Sequence, residues 1–80
     1  MSTEDIQADT VLDARGLSCP MPMLKMKKML KSMQKDQILE VLSTDPGSKN
    51  DIPGYCEKQN YKFLGYYDDP EDFTRYYVQT

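Results

Sequence analysis

The chain has 80 residues, a formal net charge of −3 and 39% hydrophobic residues. This length accommodates one hydrophobic core, and the apolar fraction is typical of a folded domain rather than a disordered segment. The negative charge argues against nonspecific nucleic-acid binding, which depends on a basic surface. Histidine is absent, which excludes an imidazole base or metal ligand.

The N-terminus and the cysteine content indicate the compartment. We expect residues 1–9 to form a flexible acidic tail and residues 10–80 a single domain. We see neither a secretory signal nor a run near the roughly 20 apolar residues that span a bilayer. Two cysteines, Cys19 and Cys56, provide no disulfide framework and no four-ligand metal site. We therefore expect a cytoplasmic protein with reduced thiols, without membrane contact, metal or cofactor.

The first predicted strand leads through a turn into a helix. Thr10–Ala14 has the β-branched character of a strand, and the turn Arg15–Ser18 follows it. We predict a helix from Pro20 to about Gln34, because the first turn of a helix tolerates proline, whose missing N–H would have had no partner there. Apolar residues recur at helical spacing and predict the buried face: Met23, Met26, Met29, Leu30 and Met33.

The opposite face of this helix is rich in lysine and carries one leucine. A solvated surface is the simplest interpretation of these lysines, which include Lys35 near the end of the helix. An exposed leucine among them favours instead a docking surface for an acidic protein partner. The predicted docking residues are Leu24, Lys27, Lys28 and Lys31.

A second strand and a second helix follow. Gln37–Thr44 is the predicted strand, and the sequence DPGS turns the chain after it. We predict that Ser48 caps the second helix and that Asp51 replaces the usual glutamate of a capping box. Because Pro53 weakens its early part, this helix should be short and end near Asn60.

The remaining chain predicts a β-hairpin. Its strands are Tyr61–Tyr67 and Phe73–Gln79, joined by the acidic turn Asp68–Asp72. Cys56, in the second helix, is expected in the core, since free cysteine is commonly buried. Four tyrosines should pair across the hairpin rather than form a platform for stacking bases, because the acidic turn would repel phosphate. They are Tyr66, Tyr67, Tyr76 and Tyr77.

The order of elements predicts an α+β fold, a two-layer sandwich with the order β-α-β-α-β-β. A strand–helix–strand unit of this length favours a parallel pair, so a mixed four-stranded sheet should carry both helices on one face. The first two strands would then end at the same edge of the sheet. The turn that holds Cys19 should therefore lie beside the turn that contains Asp45, Pro46 and Ser48.

Cys19 lies at or near the N-terminus of the first helix. Unpaired amides and the helix dipole favour a thiolate there, with the Met21 amide as the main contact and Arg15 at longer range. Pro20 and Pro22 stiffen the backbone beside the sulfur. Without a neighbouring cysteine or histidine, the chemistry that remains is exchange at sulfur. A small residue in a turn is the structural alternative.

Two segments of the chain, LDARGLSCPMPMLKMKKML and TDPGSKNDIPGYC, carry a family resemblance. In order and spacing they resemble the TusA/SirA family of small sulfur carriers, and the similarity runs from about Val11 to the C-terminus. The resemblance implies a βαβαββ sandwich. It also implies that Cys19 accepts a persulfide sulfur from a cysteine desulfurase or rhodanese-like donor and passes it to a downstream relay protein. The expected supporting residues are Arg15, Gly16, Pro20, Pro22, Asp45, Pro46 and Ser48.

The resemblance does not assign a pathway. Relatives deliver sulfur to tRNA thiolation, to sulfur oxidation or to molybdenum-cofactor synthesis, and Gln59-Asn60 stands where many relatives carry Gly-His. We expect a monomeric carrier rather than a self-sufficient enzyme, with no direct nucleic-acid contact. The alternatives are a noncatalytic regulatory or RNA-binding module of the same fold, and a redox switch that joins Cys19 to Cys56.

Overall fold

All six predicted elements are present in the computed structural model, which describes residues 7–18 and 20–80. The first and last strands have the predicted bounds, and the ends of the other elements differ from the predicted ones by at most two residues, as element boundaries commonly do. The elements are β1 (Thr10–Ala14), α1 (Met21–Ser32), β2 (Ile38–Ser43), α2 (Ser48–Gln59), β3 (Lys62–Asp69) and β4 (Phe73–Gln79).

The four strands form one mixed sheet in the order β1-β2-β4-β3. β1 and β2 are parallel, as predicted, whereas β4 runs antiparallel to both of its neighbours. In this register Ala14 pairs with Ser43, and Ser43 pairs with Thr74. The ends of β1 and β2 and the β3–β4 turn therefore share one edge of the sheet, which we call the carboxyl edge.

The hydrophobic core lies between the two helices and one face of the sheet. Met26 and Leu30 of α1 are fully buried, and the other methionines of the predicted stripe pack against them. Cys56 of α2 is 1% exposed, so its predicted core position is confirmed, and burial raises its pKa to about 11. Both helices of the described ranges have 12 residues and are too short to span a bilayer.

The start of α2 differs from the predicted capping box. Gly47 is the N-cap residue, and no side chain caps the helix. The Ser48 hydroxyl is buried and lies 3.1 Å from that of Ser43, which ends β2. Because buried hydroxyls need hydrogen-bond partners, Ser48 satisfies Ser43 instead of the helix terminus, and the capping prediction was wrong. The helix ends at Gln59, so the predicted end near Asn60 is confirmed. It continues past Pro53 and has 12 residues in all, an ordinary length rather than a short one.

The hairpin tyrosines pair only in part as predicted. Tyr66 and Tyr76 lie opposite each other, with ring centroids 6.1 Å apart, which is a typical distance for an aromatic pair. The same register places Tyr67 opposite Arg75 and Tyr77 opposite Gly65, so the other two tyrosines have non-aromatic partners. The prediction is therefore confirmed for one tyrosine pair.

A layer of charged side chains covers the sheet face opposite the helices, which we call the open face. Side chains alternate along β4, so Phe73 and Tyr77 point away from the core that contains Tyr76. They are nevertheless only 6% and 5% exposed. The guanidinium groups of Arg15 and Arg75 lie 4.9 and 5.0 Å from the centroid of the Phe73 ring, an arrangement typical of cation–π contacts.

Candidate functional site

Cys19, the predicted sulfur-bearing residue, lies outside the described residues. The residues on either side of it, Ser18 and Pro20, are both exposed. They belong to the loop of residues 15–20 that joins β1 to α1 at the carboxyl edge, which we call the β1–α1 loop. The geometry of the site is therefore given by the described residues around position 19.

The start of the β1–α1 loop is fixed by three contacts. Gly16 has a φ of +82°, a conformation that glycine adopts without steric cost, and its amide donates to the Thr44 hydroxyl at 2.9 Å. The Leu17 amide donates to the Ala14 carbonyl at 3.3 Å, and the Leu17 side chain packs against the core. The Gly16–Thr44 bond confirms that this loop neighbours the turn after β2.

The two prolines hold the end of the loop in different ways. Pro22 is fully buried in the first turn of α1, whereas Pro20 is exposed and is the N-cap residue. The Pro20 carbonyl accepts the Leu24 amide at 3.1 Å. The Met21 amide, which we assigned to the sulfur from the sequence, donates instead to the Ser18 carbonyl at 2.9 Å. The Met21 amide is therefore already paired within the loop, and the prediction that it contacts the sulfur is not supported.

Arg15 has its own ion pair on the open face. Two of its nitrogens donate to the carboxylate of Asp13 at 2.9 Å, and its guanidinium stacks over Phe73. The side-chain hydrogen bonds from Arg15 lower the pKa of Asp13 to about 2. Because Asp13 already compensates the charge of Arg15, we expect this arginine to position the loop more than to stabilise a distant thiolate.

The turn after β2 contributes two accessible residues and one buried residue. Pro46 is exposed and Asp45 is half-buried, with one carboxylate oxygen accepting the Gly47 amide at 3.4 Å. Ser48 is only 1% exposed and is bonded to Ser43. Ser48 can therefore support the turn from below, but it is not in a position to contact a partner at the surface.

An acidic cavity of about 340 Å³ lies at the carboxyl edge, and sequence reasoning missed it. The Thr74 hydroxyl, and then Lys49, lower the pKa of Asp68 through hydrogen bonds. The backbone amide of Glu71 is the main cause of the lowered pKa of Asp69. The acidic hairpin was visible in the sequence, but only the sheet topology brings it to the turn after β2. The cavity is lined by four aspartates, Asp45, Asp68, Asp69 and Asp72.

The four predicted docking residues do not form one surface. Leu24 is 48% exposed, and Lys28 and Lys31 are also exposed. Lys27 is half-buried in a groove of about 460 Å³ between α1 and α2, which begins at Pro20. Its ammonium group lies 5.1 Å from the ring centroid of Tyr55. Lys27 therefore belongs to the groove between the helices, whereas Lys28 lies towards β1.

The part of the chain that the structure describes contains no cluster of three or more cysteine or carboxylate side chains arranged to hold a metal ion. The four aspartates of the acidic cavity are consequently a charged surface near the β1–α1 loop. Asp68 and Asp69, whose pKa values are lowered, stay ionised at neutral pH and form ion pairs with Lys49 and Arg75. The aspartates outnumber the basic groups that line the cavity, which gives the carboxyl edge a negative potential.

Comparisons with known proteins agree with this architecture. The family model described as "Sulfurtransferase TusA" matches residues 10–80. The putative sulfur carrier protein YrkI of Bacillus subtilis is 38% identical over 74 residues, which cover 92% of this chain and 97% of YrkI. The sulfur carrier protein TusA of Allochromatium vinosum is 46% identical over 56 residues, or 70% of this chain and 74% of that protein.

A solved structure shares the fold. The crystal structure of the SirA-like protein from Desulfitobacterium hafniense matches with a TM-score of 0.78 and covers 89% of this chain and 96% of its own. The sequence identity is 19%, so this likeness concerns the fold alone. It confirms the predicted two-layer arrangement of two helices on a four-stranded mixed sheet.

Proposed function

Because the chain belongs to the TusA family of sulfur carriers, we propose that Cys19 carries the sulfur as a persulfide. The main support is the Cys-Pro-x-Pro segment, residues 19–22, at the start of α1 on the carboxyl edge. Exposed residues on both sides of position 19 and a loop with fixed hydrogen bonds suit a thiol that must meet other proteins. Buried Cys56, the other cysteine, is unsuited to that task.

The proposed chemistry consists of two exchanges at sulfur. The Cys19 thiolate attacks the outer sulfur of a donor persulfide, whose S–S bond breaks so that the donor cysteine leaves as a thiolate. An acceptor thiolate then attacks the outer sulfur of the Cys19 persulfide and releases the Cys19 thiolate. Each exchange moves one sulfur atom without net oxidation, so the carrier supplies only a thiolate and an accessible approach.

The charges around the site suggest what its partners present. The exposed α1 surface carries Leu24, Lys28 and Lys31, and the groove that begins at Pro20 contains Lys27. The carboxyl edge on the other side of the loop is acidic. We propose that donor and acceptor proteins place acidic groups against α1 and basic groups against the carboxyl edge, since complementary potentials speed encounter.

Mass spectrometry after incubation with a cysteine desulfurase and cysteine tests the proposed carrier residue. We expect an added mass of about 32 Da, one sulfur atom held as a persulfide. Cys19→Ala should abolish the addition, and the matched variant Cys56→Ala should keep it. If Cys19→Ala kept the added sulfur and Cys56→Ala lost it, the carrier would be Cys56 and the proposal would be wrong.

The final acceptor of the sulfur determines which pathway the carrier serves. We propose a cytoplasmic relay in which a downstream protein thiol receives the sulfur for tRNA thiolation, sulfur oxidation or cofactor synthesis. Deleting the gene in its native cell distinguishes these routes, because each predicts loss of a different product. Unchanged levels of thiolated tRNA, oxidised sulfur and molybdenum cofactor would leave the relay without any of these destinations and contradict it.

No observation favours the RNA-binding alternative. The open face would be the stacking platform, but Phe73 is covered there by the guanidinium groups of Arg15 and Arg75. Tyr77 is only 5% exposed, and its hydroxyl donates to Glu40. Stacking on bases needs accessible aromatic rings in a positively charged groove. In a filter-binding series over salt concentration we expect no appreciable RNA affinity, and tight, salt-sensitive binding would contradict this ranking.

A further inference from the structure

The outer strand β1 leaves one lateral edge of the sheet uncovered, and this β1 edge is different from the carboxyl edge. β1 pairs with β2 in an unbroken parallel register over all five of its residues, and across residues 7–18 and 20–80 it has no second strand neighbour. The other outer strand, β3, has a register shift and ends in an acidic turn, which are features that discourage edge-to-edge pairing. β1 has no such irregularity, so its outward backbone groups are suited to pairing with an added strand.

A groove lies directly beside this edge, between β1 and α1. It has a volume of about 260 Å³ and is lined by Leu12, Lys25, Lys28, Met29 and Ser32. Leu12 and Met29 are partly buried and provide an apolar floor, whereas both lysines are exposed. The groove therefore combines an apolar contact surface with two cationic groups along one side.

The charge of the groove indicates which kind of segment it fits. Among the described residues, neither Lys25 nor Lys28 takes part in an ion pair, and α1 contains no acidic residue. Side chains of an added strand alternate between the two faces of the sheet, so every second residue would face α1. Acidic and apolar residues at those positions would meet the lysines and the groove floor.

We propose that the β1 edge and its groove bind an extended acidic segment of a partner protein by strand addition. The main chain of the segment pairs with β1, and its helix-facing carboxylates contact Lys25 and Lys28. This surface is distinct from the groove between α1 and α2 that contains Lys27 and Tyr55. The proposal does not rest on the chemistry of Cys19, so a binding experiment can fail without affecting the proposed sulfur transfer.

The test titrates a synthetic peptide into the full-length, isotope-labelled protein and follows its backbone amides by NMR. The probe is a peptide of about ten residues with glutamate and valine on one face and threonine on the other, a length that spans a typical strand. We expect shifts centred on Val11, Leu12 and Lys28, and slower hydrogen exchange along β1. A peptide of equal charge with a central proline should not bind, because proline cannot complete the strand pairing.

Variants separate the groove from general charge attraction. The double variant Lys25→Glu/Lys28→Glu should weaken peptide binding about tenfold or more, since like charges then face the carboxylates. Both lysines are exposed, so the fold should persist, which unchanged strand resonances would verify. The double variant Lys58→Glu/Lys62→Glu is the matched control, because it makes the same change of charge at exposed positions outside the β1 groove. It should change the affinity by less than about twofold, since salt screens charges that are more than about 10 Å apart.

Several outcomes would overturn the proposal. The first is the absence of shifts at about 1 mM peptide, a concentration that would half-saturate a site with a binding free energy of about −4 kcal/mol. The others are shifts confined to the groove between α1 and α2, and equal binding by the double variant. If the peptide bound only to the variant Glu4→Gln/Asp5→Asn, the chain's own acidic N-terminus would be the segment that occupies the groove. Concentration-dependent dimers with β1 shifts would assign the edge to a second copy.

Discussion

The Thr44 hydroxyl links the turn after β2 to the β1–α1 loop. It accepts the Gly16 amide at 2.9 Å at an exposed position. We predict that Thr44→Val lowers the free energy of unfolding by about 1 kcal/mol, the usual contribution of one hydrogen bond. It should also alter the alkylation rate of Cys19, because the start of the loop loses its hydrogen bond to the turn after β2.

The measurements are urea unfolding and the rate of reaction of Cys19 with iodoacetamide. Thr44→Ser keeps the hydroxyl and should preserve both values. Equal behaviour of the valine and serine variants would show that the hydroxyl does not hold the loop.

Two glycines allow a paired prediction of opposite sign. A Cβ added at Gly16 or at Gly54 would meet no atom within 4 Å, so packing is not the cause of any change. Gly16 has a φ of +82°, and alanine there should destabilise the fold by roughly 1–2 kcal/mol through backbone strain. Gly54 lies within α2, where alanine should stabilise by roughly 0.5–1 kcal/mol. Urea unfolding of both variants measures the difference, and a shift of the same sign in both would contradict it.

At the scale of the elements, the start of α2 shows how a local pattern can have a different role. Ser48 and Asp51 match a capping box in spacing, but Ser48 is bonded to Ser43 across the turn. We predict that Ser43→Ala and Ser48→Ala show a coupling energy of about 1 kcal/mol in a double-mutant cycle, since the two hydroxyls depend on each other. Asp51→Ala, which removes no cap bond, should change stability by less than about 0.5 kcal/mol. A large effect of Asp51→Ala without coupling between the serines would restore the capping box.

The helices, strands and their order could be predicted because hydrophobic periodicity and turn residues are local signals. The stripe around Met26 and Leu30 and the β-branched start of β1 needed no tertiary information. The stacking of Arg15 over Phe73 could not be predicted, since the ring comes from a strand some sixty residues later. Ser43, the partner of Ser48, is only five residues away, but the sequence also matched a capping box, and the conformation of the turn decides between the two patterns. Side-chain partners of the site thus depend on topology, whereas the position of Cys19 at the start of α1 follows from its two prolines.

For the whole molecule, the shifted pKa values predict how stability depends on pH. The pKa of Asp13 falls from 3.8 to about 2 on folding, and those of Asp68 and Asp69 are also lowered. Their contribution is complete above the unfolded pKa and is lost as pH falls through the folded value. Burial raises the pKa of Cys56 to about 11 and that of Tyr76 to about 12. Their contribution is complete below the unfolded values of 9.0 and 10.0 and is lost as pH rises.

We therefore expect the free energy of unfolding to be nearly constant between about pH 5 and pH 8, and to fall on both sides. The absence of histidine removes the usual group that titrates within this window. Urea unfolding over a pH series measures the profile, and Asp13→Asn should flatten its acidic side. A steep slope between pH 6 and pH 7 would contradict this expectation. It would show that another group changes its pKa on folding, because the slope measures the difference in bound protons between the unfolded and folded states.

The burial of Cys56 has a practical consequence for experiments on the folded protein. Its side chain is 1% exposed, so a thiol reagent can reach it only when the interior opens. The rate at which a cysteine-specific label appears on α2 therefore reports the frequency of such openings under native conditions. In the Cys19→Ala variant, the labelling rate of Cys56 would measure how often the folded protein opens. The measurement would need neither denaturant nor an added fluorophore.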